Sequence, residues 1–483
     1  MIMKPQIWPL LSLSCFIFSH PIQAELTALY HFPIPTNTAQ TNLTGHDPYG
    51  SLMLIGDRLY GTANKGGTAA RGAIFSIATN GTGFTNLRSF AVAPDGARPF
   101  SELLFTNGKL YGTTEEGGSG NAGTLFSINT NGTGYSRFFN FPPVILDPVR
   151  IASTNRDGAF PWGGLIAVGD RLFGTTVSGG LNGSGVIFSI RNDGTQFTNL
   201  YNFELVPISS GTNSSGSDPY GTLILAGETL FGTTRSGGVF GNGVVFSIST
   251  NGTDFTTLHS FAEDDGGHPL SGLLLIDDFL YGTASFYGNS AGTVFRIRTN
   301  GTDFSVLHRF TPLVNSTNLD GAAPYCALIQ VGNAVVGTTL NGGLHRNGTI
   351  FSVGANGSNF VTLHHFGPYL HNSNTNHDGA YPRSGVLVAD SILYGATEAA
   401  GNLAGGTLFA LPLIDQPTLQ LSTDDGTNAV LSWPTLAVGF ELTGTADLLS
   451  PMWNTIAGAS VAGTNFVFTN ALSETTEFFR LRR

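Results

Sequence analysis

Five aromatic side chains stand one place after a proline at the same point of a recurring pattern: Tyr49, Phe100, Trp162, Tyr220 and Tyr325. Gathered at one end of a channel, such rings would form a funnel. Their faces suit stacking on sugar rings, and tyrosine hydroxyls suit hydrogen bonds to carbohydrate oxygens. The alternative is that they pack between neighbouring units, since repeated aromatics are usually core. Carboxylates offer a second chemistry. Glu102, on the same segment as Phe100, and Asp157 are candidates for a glycosidase-like pair, because carboxylates from different units can converge across a channel. Asp95, Asp157, Asp265, Asp320 and Asp378 each precede a glycine shortly before a proline. That is the setting of a turn-forming Asx residue. Calcium needs several oxygens converging within one loop. Only Asp264-Asp265 is locally dense, without the alternating spacing of a calcium loop, so the turn reading is preferred.

The remaining reactive types are scattered. His259, His308 and His364 recur at one position in three units, the mark of a repeat feature, while His268, His371 and His377 fall on loops. No His-x-His or His-Glu-x-x-His spacing occurs, so no metal site is expected. Only two cysteines exist, and Cys326 sits in the apolar stretch Tyr325 to Ile329, which reads as a buried small hydrophobe. Asn80, Asn131, Asn251, Asn300 and Asn347 each head an Asn-Gly-Thr triplet. A turn explains most of these better than glycosylation, because Asp193-Gly194-Thr195 keeps the turn and loses the acceptor. Asn347, lying before a strand, is the exception. No catalytic residue and no cofactor is assigned.

The elements that must position these residues follow from an internal repeat. Leu59-Tyr60-Gly61 recurs as Leu110-Tyr111-Gly112, Leu172-Phe173-Gly174, Leu230-Phe231-Gly232 and Leu280-Tyr281-Gly282, with weaker copies at Val335-Val336-Gly337 and Leu393-Tyr394-Gly395. Each copy sits among four apolar stretches, the first opened by a proline and the last two joined by an Asn-Gly or Asp-Gly pair suited to a type I′ hairpin turn. Four short antiparallel strands per unit of roughly 50–60 residues describe a β-propeller blade. The seventh unit ends at Leu408 to Pro412 without a fourth strand, and Leu26 to Phe32 is an unattached fourth strand. The expected fold is therefore all-β: a seven-bladed β-propeller closed by its N-terminal strand. Past Pro412 the texture changes, and the early Trp433 and short alternating runs suggest a small fibronectin-III- or immunoglobulin-like β-sandwich. The expected divisions are a signal peptide at 1–24, the propeller at 25–412 and the sandwich at 413–483.

Composition agrees with that plan. Charged residues make up 11% of the 483-residue chain while Gly reaches 65, which suits many turns and short strands rather than long helices. A net charge of −11 argues against nucleic acid and anionic membrane surfaces as partners. Lys4, the apolar Ile7 to Phe18 and Ala24 before Glu25 read as a secretory signal. Cys15 fits a lipidation site poorly. No later run is long enough to span a bilayer.

The units resemble the Gloeo-Verruco (GloVer) tandem repeat of exported bacterial proteins, through Leu110-Tyr111-Gly112-Thr113-Thr114, Gly117-Gly118, Gly123-Thr124-Leu125-Phe126 and the joint from Asp95 to Pro99. The resemblance covers residues 26–412. The tail, with Leu431 to Pro434 and Phe478 to Leu481, looks like C-terminal modules of related secreted proteins, but ends Arg480 to Arg483 without the hydrophobic anchor such proteins often carry. The resemblance implies fold and export and brings no catalytic residues. The expected protein is a monomeric secreted or cell-surface binding protein, extracellular or periplasmic, with a glycan or envelope component as partner. Propeller-type carbohydrate-active enzyme and structural scaffold are the alternatives.

Overall fold

The computed structural model describes residues 25–91, 95–147, 152–285, 291–370, 373–414, 417–424, 428–445, 452–471 and 478–482. The expected signal segment with Cys15, and His371, lie outside the described residues.

Each sequence unit folds into one small antiparallel sheet with its strands in chain order. In the fourth unit these are Ile224–Ala226, Thr229–Thr234, Val244–Ser249 and Thr256–Ser260. The two middle strands are buried along nearly their whole length, because neighbouring sheets cover both faces, and so they read as near-continuous apolar runs. The repeated glycine has a steric reason: a Cβ on Gly232 would lie 2.6 Å from the ring of Phe246 on the paired strand. Between the third and fourth strands the structure differs from the expected type I′ turn. Of the Asn251-Gly252 pair only Gly252 has a positive φ, 89°, and its N–H donates to Ser249 O at 2.9 Å. The asparagine stays out of the left-handed region because its Oδ1 accepts from the N–H and hydroxyl of Thr253, at 3.0 and 2.9 Å.

Residues 27–412 contribute seven such sheets, six of four strands and one, in the first unit, of five because His46–Pro48 adds to it. In one of them the N-terminal strand Thr27–Pro33 pairs with Ala404–Pro412, His31 opposite Thr407. Apolar clusters span consecutive sheets, as where Phe173, Ile187 and Phe203 meet Leu223, Leu230 and Phe246. Tyr394, Leu408 and Phe32 in turn meet Leu52, Leu59 and Phe75 of the first sheet. Two polar motifs repeat across these contacts. A threonine hydroxyl of one sheet donates to an inner-strand carbonyl of the next, as Thr62 to Ser101 O at 3.0 Å, Thr233 to Ser271 O at 3.0 Å and Thr338 to Ser384 O at 2.9 Å. The matching position in the seventh unit is Ala396. A fourth-strand side chain also stacks on an aromatic of the next unit: Tyr30 on Phe84, Phe139 on Phe197, Tyr201 on Phe255, His259 on Phe304 and His308 on Phe360.

The C-terminal segment forms a four-stranded and a three-stranded sheet that share a core of Leu431, Trp433, Leu442 and Phe466. Val361 of the sixth unit belongs to that core, and Leu436 and Val438 pack with Val331 and Val336. Asn333 Nδ2 donates to Glu441 Oε1 at 2.7 Å across the same contact. Among the described residues no helix is long and apolar enough to cross a membrane.

Candidate functional site

The segments that lead into the first strands of the seven sheets surround one cavity of about 300 Å³. Its wall is a stack of three layers, each taking one residue from every unit. The outermost layer holds the residues that follow the joint prolines. All five expected aromatics, Tyr49, Phe100, Trp162, Tyr220 and Tyr325, lie on it, half-buried, and Leu270 and Arg383 complete it. Neither is aromatic, although Leu270 after Pro269 and Arg383 after Pro382 occupy the same point of the repeat.

Backbone geometry fixes this layer. The residue before each joint proline is left-handed in every unit, from φ 55° at Arg98, His268 and Ala323 to 60° at Tyr381. For residues other than glycine that conformation costs about 1–2 kcal/mol. Paired backbone bonds hold it: Asp218 N–H donates to Ser184 O of the preceding unit at 3.1 Å, and its carbonyl accepts from Arg235 N–H at 3.0 Å. Each proline, and the side chain after it, is thereby clamped between two neighbouring units. Because it recurs in every unit, this strain belongs to the architecture rather than to one reactive residue.

The rings are not separate platforms. Phe100 and Trp162 stack at 4.4 Å between centroids, 10° from parallel, and Tyr49 and Tyr220 meet them edge-on at 4.7 and 4.8 Å. Trp162 Nε1 donates to Glu115 Oε1 at 2.9 Å, which fixes the indole. On the opposite side Arg383 pairs with Glu398 and lies over the rings of Tyr49 and Tyr325, at 5.2 and 5.6 Å. Burial pushes the Tyr49 phenol up to about 12.

The second layer, which includes Gly50, Gly163, Gly221 and Cys326, is small because the inner strands crowd together there. A Cβ on Gly221 would lie 2.4 Å from Ser271 O. Cys326 is buried, its sulfur bonded to Thr338 N–H at 3.0 Å, and burial pushes its thiol up. This is the setting of an inert packing residue.

The third layer is small residues and one carboxylate. Glu102 stands among Ser51, Gly164, Thr222, Gly272, Ala327 and Gly385. Gly164 makes room for it, since a Cβ there would lie 2.9 Å from Glu102 Cγ. The Gly164 N–H donates to Thr222 Oγ1 at 2.8 Å, and the Thr222 side chain is bonded to Glu102. Burial nevertheless raises the Glu102 carboxyl above its ordinary range. Glu102 is the only acid on the cavity wall and Arg383 the only base.

The joint aspartates lie off this wall and play the turn role. Asp320 accepts from Thr311 N–H at 2.8 Å and from its hydroxyl at 2.5 Å, and Asp95 accepts from Ala91 N–H at 3.1 Å. Four of the five also meet a fourth-strand arginine or histidine, which explains the recurring histidines: Arg88–Asp95, His259–Asp265, His308–Asp320 and His364–Asp378. Where the fourth strand offers Tyr30 or Tyr201 instead, the joint residue is Thr44 or Ser215, bonded to the phenol. The fourth-strand position that matches these histidines is Phe139 beside the Asp157 joint, and Asp157 pairs instead with its exposed neighbour Arg156 at 3.7 Å, while burial raises its carboxyl. Among the described residues no group of three or more His, Cys, Asp or Glu could hold a metal ion. The triplet residue Asn347 is buried, with its amide bonded to Gly367 O at 2.5 Å.

A family model described as a Gloeobacter/Verrucomicrobia repeat matches residues 16–147, 148–317 and 277–430. No curated protein matches the chain. Solved structures similar to it include an oligogalacturonate lyase from Vibrio parahaemolyticus, 9% identical over 82% of this chain and 95% of that one, with a TM-score of 0.47. An oligogalacturonate lyase in complex with manganese is 10% identical over 81% and 98%, at 0.45. TolB from Acinetobacter baumannii is 14% identical over 59% and 58%, at 0.35. What those proteins act on carries nothing over to this chain.

Proposed function

The chain belongs to the Gloeobacter/Verrucomicrobia repeat family, and we propose that it is an exported binding protein whose axial cavity takes up a glycan. In this reading the seven sheets are the blades of a β-propeller that the N-terminal strand closes. Residues 1–24 direct export, 25–412 form the propeller, and 413–483 form an immunoglobulin-like sandwich that serves as an accessory contact. The mature protein works as a monomer outside the cytoplasm, at the cell surface or beyond.

One observation carries the glycan assignment: every unit delivers its post-proline residue to one wall, and five of those seven residues are aromatic. Aromatic faces gain from covering the apolar faces of sugar rings, and the phenols of Tyr49, Tyr220 and Tyr325 supply directional hydrogen bonds. The length variation of the surrounding loops supports the same face, since function concentrates on loops that a rigid scaffold displays.

A glycan and polysaccharide array, with the supernatants analysed for cleavage products, tests the proposal. Saturable binding without products, weakened by Trp162→Ala, supports it, and silence across the array counts against it. The second reading is a carbohydrate-active enzyme, and the half-buried Glu102 on the cavity wall favours it. Hydrolysis by the usual two-carboxylate route requires a pair flanking the bond, and the wall offers Glu102 alone. Cleavage products that vanish in Glu102→Gln would establish the enzyme.

A further inference from the structure

Glu102 presents a problem that a neutral sugar does not solve. It is the one acid on the wall, it stands in a layer of otherwise small uncharged residues, and no ion pair reaches it among the described residues. The wall's one base is engaged elsewhere, held by Glu398 and by the faces of Tyr49 and Tyr325. A half-buried carboxylate without a counter-charge is partly desolvated, and a cation arriving in the cavity offsets that loss. Yet space is kept for it. Gly164 is the residue whose Cβ would collide with Glu102, and Thr222 is aligned by the Gly164 N–H.

The aromatic layer directly above has the complementary property. Ring faces carry negative potential and attract cations, most strongly where water is excluded. Arg383 shows that rings of this wall already hold one cation by their faces. The chain's net charge of −11 adds a long-range bias towards cationic ligands.

We infer that the cavity selects a sugar carrying a free amino group, with Glu102 receiving the ammonium beneath the rings. This rests on the glycan reading and narrows it from carbohydrate in general to de-N-acetylated amino sugars. Glu102 supplies a charge-assisted hydrogen bond, the rings supply cation–π contact and ring stacking, and Thr222 orients the carboxylate. An N-acetyl group removes the positive charge and adds bulk at the place where the carboxylate sits.

Calorimetric titration of the purified protein with a fully deacetylated β-1,4-glucosamine hexamer, its N-acetylated counterpart and spermidine tests this. The deacetylated hexamer should bind at least roughly tenfold more tightly than either of the others. Glu102→Gln, with its fold checked by circular dichroism, should bring the two hexamers within about twofold of each other. A second readout needs no variant. Because burial raises the Glu102 carboxyl, the wild-type preference should fade as the pH is lowered through the carboxylate range. The other titratable groups on the wall are Tyr49, Tyr220, Tyr325, Cys326 and Arg383, with Glu115 and Glu398 bonded behind Trp162 and Arg383. None of the wall groups is a second carboxylate. Equal affinity for both hexamers overturns the inference and leaves the glycan reading standing. A preference that survives Glu102→Gln overturns the role of that residue. Spermidine binding as tightly as the deacetylated hexamer makes the site one for polyamines, and failure of every glycan overturns both.

Discussion

The seven units agree between the sheets and disagree around the cavity. At the third-strand position all seven carry phenylalanine, Phe75, Phe126, Phe188, Phe246, Phe295, Phe351 and Phe409, each wholly buried. At the post-proline position the same units carry Tyr, Phe, Trp, Tyr, Leu, Tyr and Arg, each half-buried. The backbone is equivalent at both places, so secondary structure does not explain the contrast. A wedge between two sheets has one shape, and one residue fills it seven times. A wall facing open space imposes no common shape, so each unit is free to differ. Internal uniformity therefore marks packing, and internal divergence on an equally rigid frame marks a surface released from that packing constraint.

The contrast can be broken by moving one substitution between the two regions. Phe246→Ala should destabilise the protein by about 3–5 kcal/mol, the cost of a buried phenylalanine cavity. Trp162→Ala should cost under about 2 kcal/mol while weakening ligand binding, because its ring is only half-covered. Chemical denaturation of both variants checks this, and equal losses would erase the distinction between core and wall.

A finer comparison uses the joint aspartates. Asp320→Ala strips the partner from Thr311 and His308 and should cost about 2–3 kcal/mol. Asp157→Ala, which breaks the pair with the exposed Arg156 at 3.7 Å, should cost under about 0.5 kcal/mol. Melting temperatures of the two variants decide whether the fourth-strand histidine is what makes the aspartate matter. Next comes the threonine ladder. Thr233→Val leaves the Ser271 carbonyl without its donor and should cost about 1–3 kcal/mol in the same assay.

The smallest expected effect is one of pH. Burial, with His364 and His345 adding repulsion, lowers His365 from 6.5 to about 4. The folded state thus favours its neutral form. The contribution is complete above pH 6.5 and is lost as the pH falls from 6.5 towards 4. Partial exposure limits it to on the order of 1 kcal/mol. His365 Nδ1 accepts from Leu344 N–H at 3.3 Å, and Asn202 does the same for Leu181 in the third unit at 2.9 Å. His365→Asn should therefore keep the bond and flatten the acid limb of a melting-temperature profile. An unchanged limb would place the acid sensitivity elsewhere.

Much of this was legible in the chain because the repeat samples one fold seven times. Strand positions, the pairing of Thr27–Pro33 with the last unit, and the five wall aromatics all follow from aligning the units with one another. What escaped depends on backbone angles or on distances between units. Left-handed residues before the prolines are invisible because the seven units share no residue type there: Asp47, Arg98 and Phe160 share only a conformation. The turn at Asn251 was misread because its side chain competes for a neighbouring N–H and displaces the two-residue turn. The cation–aspartate pairs were half visible. Histidines and aspartates each recurred in the sequence, but that His308 meets Asp320 depends on how the joint loop returns. Leu270 and Arg383 stood in register all along, and a search by position rather than by residue type finds them.

The most direct test of the central claim is calorimetric titration of the wild-type protein and Trp162→Ala with the tightest-binding glycan from the array. The account predicts saturable binding by the wild type and a loss of roughly tenfold or more in the variant while it remains folded at the temperature of the titration. Equal affinity in the two proteins, or no glycan bound by either, would contradict it.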